Sequence, residues 1–234
     1  MSRILRIVRF FRAADPMPSW LVALTAAVAM YAAWIVAANP SGLDEALAML
    51  LLWQMVCAST GFARHASAGH FDAALVRWPR MAVAAGHALH SIWLVAALWL
   101  LVAAIEAGRT GQVPVAFESG RLAAFVFVSV MSWALALPAG RLVTGSLWLA
   151  LIVLAVTTRI GTDQYGAMLA RSDGSPLQVM HGAALAMMCP FLMIGDHLPP
   201  RDAVAAALFS LSLGALTMAG GYIRGRDYPL EAAS

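Results

Sequence analysis

His87 and His90 stand three residues apart inside a long apolar run. On a helix they share a face. Two imidazoles placed so could ligate a metal ion or a haem, or could bond to neighbouring helices and lipid headgroups. The second use is the commoner one near a helix end, so no metal and no cofactor is assigned to them. His181 and His197, the latter beside Asp196, flank a later apolar stretch and pose the same choice on the other side of the chain. Ordinary polar loop residues are the favoured reading there.

Other spacings fall short of a catalytic set. Ser67-Ala68-Gly69-His70 is similar to the Pro-Ser-Gly-His of membrane phosphatases. That chemistry needs an Arg, five residues, then a His, and Arg80 and His87 are separated by six. A membrane serine protease needs Gly-x-Ser-Gly and a partner His at span depth, but Gly145-Ser146 is followed by Leu147. Glu106 closes an apolar run where headgroup water is in reach, which weakens the usual functional reading of an intramembrane acid. No acid lies deep inside any apolar run, which disfavours a proton- or sodium-driven carrier. Gln54, Ser59, Ser129, Ser132, Thr144 and Ser146 could line a path or hydrogen-bond between helices. The chain is not expected to be an enzyme.

Whatever these residues do, a membrane positions them. The 234-residue chain is 62% hydrophobic and 12% charged. Its apolar runs of about 20 residues match a hydrocarbon core of about 30 Å at 1.5 Å rise per residue, and backbone in lipid must be helical to satisfy its own hydrogen bonds. The 15 basic residues are all Arg. With no Lys, the chain cannot form a P-loop, so any ATP is bound elsewhere. The net charge of +3 is scattered between apolar runs, which points to membrane topology and not to nucleic acid. Cys57 and Cys189 lie in apolar surroundings and read as two buried thiols.

The expected fold is a single all-α membrane domain over residues 1–234. Residues 2–12 form an interfacial amphipathic helix, with Ile4, Ile7, Val8 and Phe11 on one face and Arg6, Arg9 and Arg12 on the other. Six spans follow over 19–38, 46–63, 81–105, 122–138, 142–158 and 203–223. A short turn at Ala139-Gly140-Arg141 separates the fourth from the fifth. An outer-face segment over 159–202 holds a re-entrant stretch, 177–194, broken at Pro190. With six spans and the N-terminus inside, ten Arg lie inside (3, 6, 9, 12, 64, 77, 80, 141, 224 and 226) and five outside (109, 121, 159, 171 and 201). A seventh span would send Arg224 and Arg226 outside, against the positive-inside bias. Both termini are thus expected in the cytoplasm, at an inner (cytoplasmic) membrane.

Residues 64–80, RHASAGHFDAALVRWPR, form a polar, basic island between two of these spans. Phe71, Ala74, Leu75 and Trp78 recur at helical spacing. Gly69 precedes this stripe and Pro79 follows it. Asp72 falls in the first turn and Arg77 in the last, as the helix dipole favours. A short cytoplasmic helix with an aromatic knob suits insertion into a groove on a partner. It also suits lying flat on the membrane with Trp78 at the headgroups.

In Gly69, Phe71, Asp72 and Leu75 the island resembles the first cytoplasmic loop of type-2 ABC exporter permeases. His70 stands where Thr is usual, Ala74 where one Leu is usual, and Pro79 falls one place late. The amphipathic N-terminal segment, the six spans, the outer re-entrant segment and the short basic tail also resemble that family, across nearly the whole chain. The resemblance implies a coupling helix that docks on a separate ABC ATPase subunit, with Gly69, His70, Phe71, Asp72, Leu75, Arg77 and Trp78 at or near the contact. It implies a transmembrane subunit forming half of a pathway, completed by a second copy or a related permease, with membrane lipid around it and no nucleic acid. Two other readings share the topology: a non-transporting membrane scaffold or assembly factor, and a small-solute channel or carrier.

Overall fold

The computed structural model describes residues 3–14, 18–39, 42–158 and 201–225. Every regular element among them is helical. In chain order these are α1 (Arg3–Ala14), α2 (Ser19–Ala38), α3 (Gly42–Ser67), α4 (His70–Arg77), α5 (Arg80–Thr110), a 3-10 turn at Val115–Phe117, α6 (Ser119–Thr158) and α7 (Arg201–Gly225). By length and composition, three stretches of described residues can cross a membrane: Ser19–Ala38, Arg80–Thr110 and Ser119–Ala136. This is the architecture of a membrane protein.

The bundle is arranged around α3, which packs against α2, α4, α5 and α6. Ala46, Leu47, Leu50 and Leu51 of α3 are wholly buried. They share one apolar core with Val95, Trp99, Val102 and Ala103 of α5, Ala123, Ala124 and Val128 of α6, and Ala205 and Leu208 of α7. The many alanines let these helices approach closely, as packing in lipid requires. Large apolar side chains turned away from the core, such as Trp20, Met30 and Trp34 of α2 or Leu211, Leu213 and Met218 of α7, are exposed. A hydrocarbon surround accounts for that pattern.

The two ends of the bundle differ. At one end, Glu106 of α5 accepts hydrogen bonds from the backbone N–H groups of Val115 (3.0 Å) and Ala116 (3.3 Å). Its carboxylate therefore satisfies the opening N–H groups of the 3-10 turn. Arg121 donates to the carbonyl of Val115 (3.4 Å) and is paired with Asp44 (2.7 Å) and Glu118 (3.2 Å). Arg109 donates to the carbonyls of Val36 and Asn39. Arg109 and Arg121, both expected outside, thus share one end. The opposite end carries α1, α4, Arg64 and Arg80.

Three expectations change. The turn at Ala139-Gly140-Arg141 does not form, and α6 runs through it as one 40-residue helix. Neither Pro138 nor Gly140 forces a reversal: inside a membrane helix a proline is tolerated where neighbouring helices, side chains and water re-satisfy the freed backbone carbonyl, and one interior glycine costs only about 1 kcal/mol. At 1.5 Å per residue α6 is about 60 Å long, twice the hydrocarbon thickness. The island does not start at residue 64, because α3 continues to Ser67 and the break falls at Ala68 and Gly69. The apolar stripe of the first helix lies against protein: Ile7 and Phe11 are fully buried while Ile4 is 39% exposed. The outer-face segment up to residue 200, the re-entrant stretch 177–194, Cys189, His181 and His197 lie outside the described residues.

Candidate functional site beneath the first helix

The short helix α4 forms where the island predicted it. Gly69 caps its start with φ of +69°, a left-handed conformation that costs other residues steric strain. Pro79 follows Trp78 and opens α5, a helix start in which a proline is tolerated. Asp72 and Arg77 occupy the first and last turns.

The stripe on α4 faces inward. Phe71 is 4% exposed and Ala74 is buried, and both pack with Ile7 and Phe11 of α1 and Val83 of α5. Trp78 is half-buried, its ring edge-on to Phe10 with centroids 5.4 Å apart. Leu75 packs on the same cluster. The face of α4 turned outward consists of Asp72, Ala73, Val76 and Arg77, with Val76 75% exposed. The guanidinium of Arg77 lies 5.4 Å from the Trp78 ring centroid, a cation–π contact. The aromatic knob that the spacing offered to a partner is held by the chain's own first helix.

Beneath α1 the structure gathers four of the chain's six histidines. His65 comes from the end of α3, His70 from the start of α4, and His87 and His90 from α5. The His65 ring centroid lies 5.4 Å from that of His70, 5.1 Å from His87 and 5.3 Å from His90. His65 and His70 approach Nδ1 to Nδ1 at 3.1 Å, so one ring donates and the other accepts. His87 is wholly buried, and Nε1 of Trp133 on α6 donates to its Nδ1 at 2.8 Å. An indole N–H can only donate, so the neutral His87 ring carries its own proton on Nε2.

Phe11 is wedged among these rings, with centroids 5.0 Å from His65, 4.8 Å from His87 and 6.3 Å from His90. The pair anticipated from spacing, His87 and His90, is thus part of a larger aromatic box closed by α1. Among the described residues, no group of three or more His, Cys, Asp or Glu is arranged to hold a metal ion. Phe11 occupies the space where the histidine rings converge. Spacing along one helix does not pair His65, His70 or Trp133 with His87, because these contacts join separate helices. The clustering of four histidines within residues 65–90 was the available signal.

A cavity of about 580 Å³ opens beside this box, between α1, α2, α3 and α5. Arg12, Arg64, His65, His87 and His90 line it, together with Leu21, Leu94 and Leu98. The Arg12 guanidinium sits 4.8 Å from the Trp93 ring centroid at its wall.

Several polar residues expected inside spans tie helices together. Gln54, wholly buried, donates from Nε2 to the carbonyl of Ser91 at 3.2 Å, linking α3 to α5. Trp53 donates to Thr25 Oγ1 at 3.2 Å, linking α3 to α2. Ser129 and Ser132 of α6 are buried, and their hydroxyls have no hydrogen-bond partner among the described residues. Ser146 is exposed on α6. Compared with known proteins, the chain matches no protein-family model, no curated protein and no solved structure.

Proposed function

We propose that this chain is the transmembrane subunit of an ATP-driven exporter of the type-2 ABC class, coupled to a separate ATPase through the outward face of α4. The observation that supports this reading is the setting of α4. It is an eight-residue helix between the long helices α3 and α5, locked to α1 and α5 through Phe71, with Asp72, Val76 and Arg77 directed outward. A helix seated so firmly moves with α5 as one body. A push delivered at Val76 would pass through Phe71 to Val83 and into the membrane region, the kind of rigid shift by which such machines switch. The coupling surface is therefore Asp72, Val76 and Arg77, with Phe71, Leu75 and Trp78 anchoring the helix from behind. Gly69 and His70 set its start.

In this reading both termini lie in the cytoplasm, and the chain pairs with a second copy or a related permease to complete the pathway. Six crossings require the second half of α6 to sit in lipid, and its exposed Leu147 and Leu149 suit that setting. Single cysteines at Ser146 and Leu149 test this with membrane-impermeant thiol reagents. Protection from both sides of the membrane places that half in lipid, and labelling from the cytoplasm places it in water.

The functional test is a mild-detergent pull-down of the tagged chain from its host, with mass spectrometry of the partners. A stoichiometric P-loop ATPase is expected, lost in Val76→Asp with Arg77→Glu while the variant still inserts. Recovery of the chain alone, under conditions that preserve a known ABC complex, replaces this reading with a membrane scaffold.

A further inference from the structure

The cavity beside the histidine box is a slot between two helices that can cross a membrane, α2 and α5. Its lining runs from Leu21 to Ala29 on α2 and from His87 to Leu98 on α5. Those stretches rise about 12 Å and about 16 Å. Cys57 and Gly61, one turn apart on α3, form its floor. Val22 and Ala26 line the slot and are exposed as well, so it opens at the surface of α2. Leu94 and Leu98 of α5 form the other wall. The surface around Val22 includes exposed Leu24 and Met30, which hydrocarbon suits and water does not. The slot therefore opens toward the acyl chains of the bilayer.

The polar residues of the lining are committed to the protein. Thr25 Oγ1 donates to the carbonyl of Leu21 at 2.7 Å and accepts from Trp53 at 3.2 Å. Ser91 Oγ donates to the carbonyl of Ala88 at 2.7 Å. His87 accepts from Trp133, and His65 is bonded to His70. The Arg12 guanidinium lies over Trp93, and Arg64 and His90 have interactions of their own. A lining matched in this way gains most by burying apolar surface.

We infer that the slot holds one acyl chain of a bilayer lipid, entering sideways between α2 and α5 with its headgroup left outside. A partner's helix does not fit. A 16 Å length of helix at about 10 Å diameter fills about 1,250 Å³, more than twice the cavity's 580 Å³. Over the α3 backbone the space is open, since a Cβ placed on Gly61 would meet nothing within 4 Å. With the headgroup outside, occupancy is indifferent to its charge. The inference rests on α2 and α5 crossing the membrane and not on the exporter reading. The test below contains no ATPase.

The test is photo-crosslinking of the full-length chain in lipid nanodiscs, using phosphatidylcholine with a diazirine at the end of one acyl chain. Peptide mass spectrometry maps the label. Met30 is 68% exposed and reports the surrounding bilayer, whereas Cys57 is 9% exposed and is reached only from within the slot. Both are expected to be labelled, and equally so, within twofold, when phosphatidylglycerol carries the probe. Gly61→Leu fills the open space over α3 and should cut the label at Cys57 at least fivefold while leaving Met30 unchanged. Ala26→Trp, at the exposed mouth, should do the same and keeps the test decisive should Gly61→Leu fail to fold. An unlabelled Cys57 beside a labelled Met30, or an undiminished label at Cys57 in either folded variant, overturns the inference. So does alkylation of Cys57 by a membrane-impermeant maleimide in a Cys189→Ser background, which would make the slot aqueous.

Discussion

A Cβ placed on Gly86 would lie 2.5 Å from Cγ2 of Ile7 and 2.9 Å from its Cβ. Helices α1 and α5 therefore touch where α5 carries no side chain at all. The first helix is seated on that bare patch of backbone, and the seating brings Phe11 down among His65, His87 and Phe71.

Gly86→Val should unseat α1. Overpacking of this kind costs about 1–3 kcal/mol, which lowers Tm by about 2–12 °C for a chain of this size. The sharper readout is trypsin. Arg6, Arg9 and Arg12 all lie on α1, and cleavage there should become several-fold faster in the variant. Equal protection in wild type and variant would show that α1 does not depend on Gly86.

The Trp133 to His87 hydrogen bond joins α6 to α5 inside a wholly buried pocket. Trp133→Phe strands the Nδ1 acceptor and should cost about 1–3 kcal/mol, read as a fall in thermal stability in detergent. His87→Phe removes the acceptor as well. The double variant should therefore be less damaged than the sum of the singles, by about 0.5–3 kcal/mol. Strict additivity would mean that the bond contributes nothing.

Arg121 gives an asymmetric prediction. Its side chain is 4% exposed, whereas those of Asp44 and Glu118 are 46% and 38% exposed. Removing the arginine leaves two carboxylates that can turn to water. Removing both carboxylates leaves a cation that cannot. Asp44→Asn with Glu118→Gln should thus lower thermal stability more than Arg121→Met does, measured at low ionic strength. The reverse order would show that the arginine is solvated in the native state.

The ends of α4 were legible because Gly69 and Pro79 act locally. A left-handed glycine stops one helix and a proline opens the next, whatever surrounds them. The stripe of Phe71, Ala74, Leu75 and Trp78 was legible too, but not what covers it. Periodicity reports that a face is buried, and a partner's groove, a headgroup layer and the chain's own α1 all leave the same spacing. The same limit applies to Ile7 and Phe11. Membrane-length apolar runs were readable from composition. The helix through 139–141 is not legible in the same way, because proline and glycine suggest a break without requiring one inside a long apolar helix. The histidine box was half visible: one helix gives the spacing of His87 and His90, but His65, Trp133 and Phe11 join them only through packing between helices.

The seating of α1 also sets an order of events during synthesis. Ile7 and Phe11 leave the ribosome long before Phe71, Gly86 and His87 exist. At about 5–20 residues per second, the first helix waits at least several seconds for its site to be made. Through that interval its apolar face needs a temporary host, and the membrane surface offers one to an Arg-rich amphipathic segment. The helix thus has two successive addresses, first lipid and then protein. A variant that blocks the second, such as Gly86→Val, would leave the nascent chain at the first.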